Sequence, residues 1–269
     1  MNLTTQHSWL AGVGQRVLRS PAGFWNRVRF GRAAIAATCR VPQAERAALR
    51  AATAAQVWRC GIRQLPVVGF VGLALGVLVI GQAVSLLQQV SAQRYMGTVM
   101  VMVVLRELGP LLTAFLVAAR PGTAVVVELG ALQFSGQMTQ AERLETHTLR
   151  ELIAPRVKGL AVAGFCLTIY LIAVALVCGY VVAFAQGMPL RLAEYAGQLA
   201  VAMHWMDFVF IALKAALFGV VIAVVSCYHG LERMLRVEEL PAATTRAVVE
   251  SLGACVLLDA LFLVGYLIR

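Results

Sequence analysis

Apolar residues in this chain gather into five long blocks separated by short polar stretches. The blocks run over about 65–90, 95–119, 159–185, 207–228 and 247–268. About 20 apolar residues cross a bilayer as a helix rising about 1.5 Å per residue. The pattern therefore predicts an all-α integral membrane bundle of five transmembrane helices over residues 65–269. Residues 1–64 hold no apolar run long enough to span. They hold ten arginines against one acid, Glu45, with Trp9, Phe24, Trp25, Phe30 and Trp58 among them. Arginine on one face and bulky apolar residues on the other suit a helix lying in the membrane surface, divided here by Pro21 and Pro42.

The first block carries Gly69, Gly72, Gly76 and Gly81, small residues at spacings that let helices approach closely. Between the second and third blocks, residues 137–152 return to helical periodicity. Met138, Ala141, Leu144, Thr148 and Leu152 share a face, with Glu142, Arg143, Glu145, Arg150 and Glu151 around the rest. A short amphipathic helix is expected, either a solvated connector or a docking helix for a soluble partner.

Composition agrees with the pattern. Of 269 residues, 60% are hydrophobic and 13% charged, against about 25% charged in a soluble domain. The net charge of +10 then reads as topology rather than as nucleic-acid binding. Lys and Arg concentrate in the N-terminal segment and in loops 120–158 and 229–246, which places these on the cytoplasmic side and the C-terminus outside. The N-terminus shows no secretory signal pattern.

Charge inside the blocks carries the functional interest, since each such residue costs at least ~2.5 kcal/mol at the bilayer centre. Arg106 and Glu107 stand side by side in the second block, directly before Gly109-Pro110. They form either a structural ion pair between helices or a polar point on a substrate path. Asp207 and Lys214 lie seven residues apart near one face of the fourth block. The expectation is that they neutralise each other or snorkel to the interface. Asp259, in the fifth block, needs a partner inside the bundle. Both lysines, Lys158 and Lys214, follow residues other than glycine, so no phosphate-binding loop ending in Gly-Lys exists. The six cysteines and four histidines show no metal-ligand spacing.

The order of motifs resembles the MlaE/YrbE permease family. Leu105 to Pro110 is followed by Ala119-Arg120-x-Gly122, Glu128-Leu129-Gly130, Gln137-Met138 and Pro155-Arg156. Then come Asp207-x6-Lys214, Cys227-x-x-Gly230, Ala243 to Val249 and Asp259. The resemblance covers about residues 57–269. It implies a homodimeric permease of the bacterial inner membrane, one subunit of an ABC transporter that moves phospholipid or another hydrophobic lipid between membranes. It further implies two ATPase subunits that bind ATP and Mg on the cytoplasmic side, and a lipid-binding MCE-domain protein on the periplasmic side. The chain itself would hold no cofactor or metal and would not be an enzyme. By this resemblance Arg106 and Glu107 lie on the lipid path. Spans 1, 2 and 5 would line it with Leu78, Leu86, Val99, Met102, Leu257 and Leu261, and Arg106 would attract a phosphate or balance Glu107. The segment holding Gln137, Met138, Ala141, Glu142, Leu144, Glu145 and Arg150 would couple to the ATPase. The rival readings are an ion-coupled secondary transporter using Glu107, Lys214 and Asp259 as a proton relay, and a structural assembly factor.

Overall fold

Helix α4, Arg150–Ala185, runs through the middle of the molecule. It packs against the first, second and fourth spans. The computed structural model describes residues 21–39, 46–89, 95–135, 149–186, 192–231 and 237–267. The other helices are α1 (Pro21–Cys39), α2 (Arg46–Leu87), α3 (Gly97–Phe134), α5 (Leu192–Ala202), α6 (Trp205–Leu231) and α7 (Leu240–Gly265). The described residues are helical apart from short connections. Five helices (α2, α3, α4, α6 and α7) are long and apolar enough to cross a membrane.

All five outrun the apolar blocks that announce them. Helix α2 starts at Arg46, ahead of the apolar run at 65, because the alanine-rich stretch 46–60 is itself a strong helix former. It bends through a short tight turn at Ile62–Gln64. Helix α3 continues past residue 119 to Phe134 although Pro121 lies inside it. Pro121 falls in a widened, π-type turn at Ala118–Gly122, where the missing N–H is accommodated without ending the helix. The link after α4 contains a helix of its own, α5. Its Tyr195 is buried against Tyr180, ring centroids 5.3 Å apart, and donates its hydroxyl to the Leu176 carbonyl at 3.3 Å. Burial pushes this phenol up to about 12.

Glycine sets the closest crossings. A Cβ on Gly219 of α6 would come within 2.8 Å of the Ala161 Cα of α4, and one on Gly76 of α2 within 2.7 Å of the Ala175 carbonyl. Backbone approach of this kind holds membrane helices together by dispersion, since lipid offers no hydrophobic driving force between them. Around the crossings Leu160, Leu167, Leu171, Phe218 and Ile222 are fully buried.

Helix α1 is pinned to the bundle. Phe30 and Ala34 join the main core. Arg27 pairs with Glu250 of α7 at 2.9 Å and lies over the Tyr228 ring of α6. His229 of α6 meets the same Glu250 at 2.9 Å. Helix α7 is the least enclosed span, with Leu257 and Leu261 74% and 70% exposed.

Candidate functional site

The second span widens into a π-type turn at Val101–Leu108, followed by Gly109 and Pro110. Arg106 and Glu107 sit in this turn. About 14 Å of helix separates Arg106 from Gly97 at the start of α3. Pro110 has no N–H to give to the carbonyl four residues before it, that of Arg106. Lys214 of α6 takes the place of that donor, its Nζ donating to the Arg106 carbonyl at 2.7 Å.

Two ion-pair systems radiate from this point. Arg106 Nη2 donates to Asp207 Oδ2 at 2.9 Å. Asp207 lies in the first turn of α6, where a carboxylate complements the helix dipole. Its Oδ2 also accepts the backbone N–H of His204 at 2.9 Å. Lys214 Nζ lies 3.2 Å from Glu107 Oε2 and 2.5 Å from Asp259 Oδ1 of α7. Asp207 and Lys214 are only 2% and 4% exposed. The expected mutual neutralisation of Asp207 and Lys214, or their snorkelling, is therefore corrected. One turns to Arg106 and the other to Glu107 and Asp259, because seven residues along α6 put them against different parts of α3. The expected balance of Arg106 by Glu107 is corrected in the same way, since neighbours in sequence point apart on a helix. The partner that Asp259 required is Lys214.

These charges border a cleft of about 460 Å³ between α3, α6 and α7. Met102, Val103 and Leu108 line it from α3, Phe210 and Ile211 from α6, and Phe262 and Leu263 from α7. Its walls are thus largely apolar, with Arg106 and Glu107 of α3 and Asp207 and Lys214 of α6 among the lining. Of the residues expected on the path, Met102, Arg106 and Glu107 meet here. Leu78, Leu86, Leu257 and Leu261 are exposed in the single chain and do not line this cleft, and Val99 is half-buried beside the cluster around Ile80 and Met100. The fourth span, absent from the expected lining, contributes Phe210 and Ile211 to this cleft. Residues 207, 210, 211 and 214 follow the i, i+3, i+4, i+7 spacing of one helical face, so Phe210 and Ile211 were legible once Asp207 and Lys214 were read as a pair of anchors. Gln137, Met138, Ala141, Glu142, Leu144 and Glu145 lie outside the described residues. Arg150 is partly buried at the start of α4. Among the described residues, no group of histidine, cysteine, aspartate and glutamate could hold a metal ion.

The structure thus holds an ion-pair network between three candidate membrane spans, bordering a largely apolar cleft. Residues 53–264 match the family described as Permease MlaE. The chain belongs to the MlaE permease family. It is 26% identical over 239 residues to a probable ABC transporter permease protein of Rickettsia bellii, covering 89% of this chain and 90% of that one. It is 28% identical over 192 residues to the intermembrane phospholipid transport system permease protein MlaE of Haemophilus influenzae, covering 71% and 73%. It is also 31% identical over 198 residues to the chloroplastic protein TRIGALACTOSYLDIACYLGLYCEROL 1 of Arabidopsis thaliana, covering 71% of this chain and 53% of the plant protein. The MlaE match takes in every charged residue of the network, from Arg106 to Asp259.

Proposed function

We propose that this chain is the membrane-spanning subunit of an ABC transporter that moves phospholipid, or a related hydrophobic lipid, between the inner and outer membranes. The observation that carries this reading is the cleft between α3, α6 and α7, largely apolar and lined also by the charges of the ion-pair network. Each acyl CH₂ taken from water into such a cleft contributes ~0.8 kcal/mol. The network supplies the moving part. Arg106, Glu107, Lys214, Asp207 and Asp259 tie three spans together across about two turns of α6, so a shift of α6 or α7 exchanges their partners and reshapes the cleft.

Energy comes from separate ATPase subunits that hold ATP and Mg, acting through the segment 137–152. A second copy of the chain packs along α7, whose outer leucines are bare in the single chain, and encloses the cleft. The chain lies in a bacterial inner membrane with its arginine-rich N-terminus in the cytoplasm. An MCE-domain lipid carrier meets it on the periplasmic side. The test is reconstitution with the cognate ATPase and measurement of ATP-dependent lipid transfer. Arg106→Ala and Glu107→Ala are each expected to slow transfer at least about tenfold, the effect of ~1.4 kcal/mol on a rate. Wild-type rates in both variants would remove the pair from the mechanism.

One observation favours a second reading. The network holds two cations and three carboxylates in contact, an excess of one acid that a proton could neutralise. A proton relay through Glu107, Lys214 and Asp259 would let the purified chain transport under a pH gradient without ATP. Absence of such transport removes this reading.

A further inference from the structure

A second cavity, of about 290 Å³, opens between the start of α2 and the C-terminal half of α3. It lies well away from the cleft. Arg120, on its wall, is fourteen residues beyond Arg106, or about 21 Å along α3. Arg59, Arg63 and Arg120 line it, and the one carboxylate on its walls is Glu128. That carboxylate is already taken twice. Arg59 donates to it at 2.9 Å and Arg156 of α4 at 3.2 Å. Gln56 accepts a further hydrogen bond from Arg59 at 3.0 Å, so this guanidinium is held in place. Arg63 and Arg120 make no ion pair among the described residues. The lining alone carries three cations against one anion. A concave site of one sign concentrates the opposite charge from its surroundings.

Depth says what that charge belongs to. Arg63 and Gln64 stand directly before the apolar run that opens at Leu65, so the cavity lies at a membrane boundary. Trp58 and Ile62, on the adjoining face of the same turns, are 60% and 43% exposed, as befits side chains resting among lipids. A groove of about 420 Å³, apolar over most of its surface and also lined by Arg50 and Lys158, runs past Val57, Trp58 and Ile62. The apolar part of that groove offers nothing to a free phosphate, whereas the acyl part of a lipid can rest on it.

We propose that this cavity binds the phosphate of an anionic phospholipid headgroup from the leaflet at this end of the bundle. Arg63 and Arg120 are its free forks and Arg59 is the fixed one. Guanidinium matches phosphate oxygens two at a time, and basic pockets between membrane helices take such headgroups. The site is separate from the cleft, and the inference holds whichever way lipid is carried there.

The test uses the purified full-length chain in neutral detergent, offered phosphatidylglycerol or phosphatidylcholine, with retained lipid counted by native mass spectrometry. Wild-type protein is expected to retain phosphatidylglycerol in preference. The double variant Arg63→Gln/Arg120→Gln is expected to lose that retention by at least about tenfold, the worth of one charge-assisted hydrogen bond. Equal retention of the two lipids, or an unchanged double variant, overturns the proposal. Displacement of the lipid by millimolar inorganic phosphate alone assigns the pocket to a free anion and overturns the lipid source. Displacement by the cognate ATPase assigns it to a protein partner and also overturns it. Should the double variant not fold, phosphatidylglycerol with a photoreactive headgroup decides the matter on wild-type protein. Cross-links to residues 56–64 and 120–128 support this site. Cross-links confined to residues 102–107 report the cleft alone and overturn it.

Discussion

Arg106 reaches across to Asp207 at 2.9 Å and leaves its sequence neighbour Glu107 to Lys214. Breaking such a partly buried pair from one side strands the other charge, at a cost of about 3–5 kcal/mol. Asp207→Ala is therefore expected to lower the thermal unfolding midpoint in detergent more than the double variant Arg106→Gln/Asp207→Ala does. The excess of the single variant measures what Arg106 loses with Asp207. Additive effects of the two substitutions would show that the pair contributes no mutual stabilisation.

Lys214 poses the same problem with the sign reversed. Its ammonium stands between Glu107 and Asp259, so Lys214→Met leaves two carboxylates facing one another. That variant is expected to be markedly destabilised, and Glu107→Gln/Asp259→Asn added to it is expected to restore the unfolding midpoint in large part. Lipid transfer stays low in the restored protein if the charges serve movement as well as cohesion. Recovery of transfer together with stability would show the network to be structural only.

The membrane fold was legible in the sequence because a bilayer demands long apolar helices, and the five blocks stated it directly. The ends of those helices were not, because apolarity marks where lipid stops and not where hydrogen bonding stops. Alanine carries α2 back to Arg46, and a widened turn carries α3 through Pro121. The charges Arg106, Glu107, Asp207, Lys214 and Asp259 stood out because each is costly in lipid. Their pairing did not, because partners lie on different helices and the register between helices is set by contacts such as Gly219 against Ala161. For the same reason the sequence did not show that Phe262 and Leu263 of α7 would be the residues facing this cleft.

Glycines on α6 and α7 separate two kinds of surface. A Cβ on Gly219 meets α4 backbone at 2.8 Å, while one on Gly253 of α7 meets nothing within 4 Å. Gly219→Ala is expected to push α4 and α6 apart and lower the unfolding midpoint by several degrees. Gly253→Ala, on the α7 face that carries Leu257 and Leu261, is expected in chains kept monomeric to leave it level or raise it, since alanine is the better helix former by roughly 0.5–1 kcal/mol. Thermal melts of the two variants side by side check this, and a larger loss at Gly253 would contradict the packing described.

Pro110 makes the sharpest claim about movement. Without an N–H it leaves the Arg106 carbonyl to Lys214, at 2.7 Å, and so links the course of α3 to the position of α6. Pro110→Ala restores a donor in the place where a regular helix would have one and removes a residue that is poor in helix interiors. The variant is expected to fold with an undiminished unfolding midpoint, yet to transfer lipid several-fold more slowly, because α3 then closes its own hydrogen bond and Lys214 loses one of its three anchors. Adding Lys214→Arg should not rescue it, because the anchor lost is the carbonyl and not the charge. A Pro110→Ala protein with full transfer activity would show that the break in α3 is a packing feature without a part in transport.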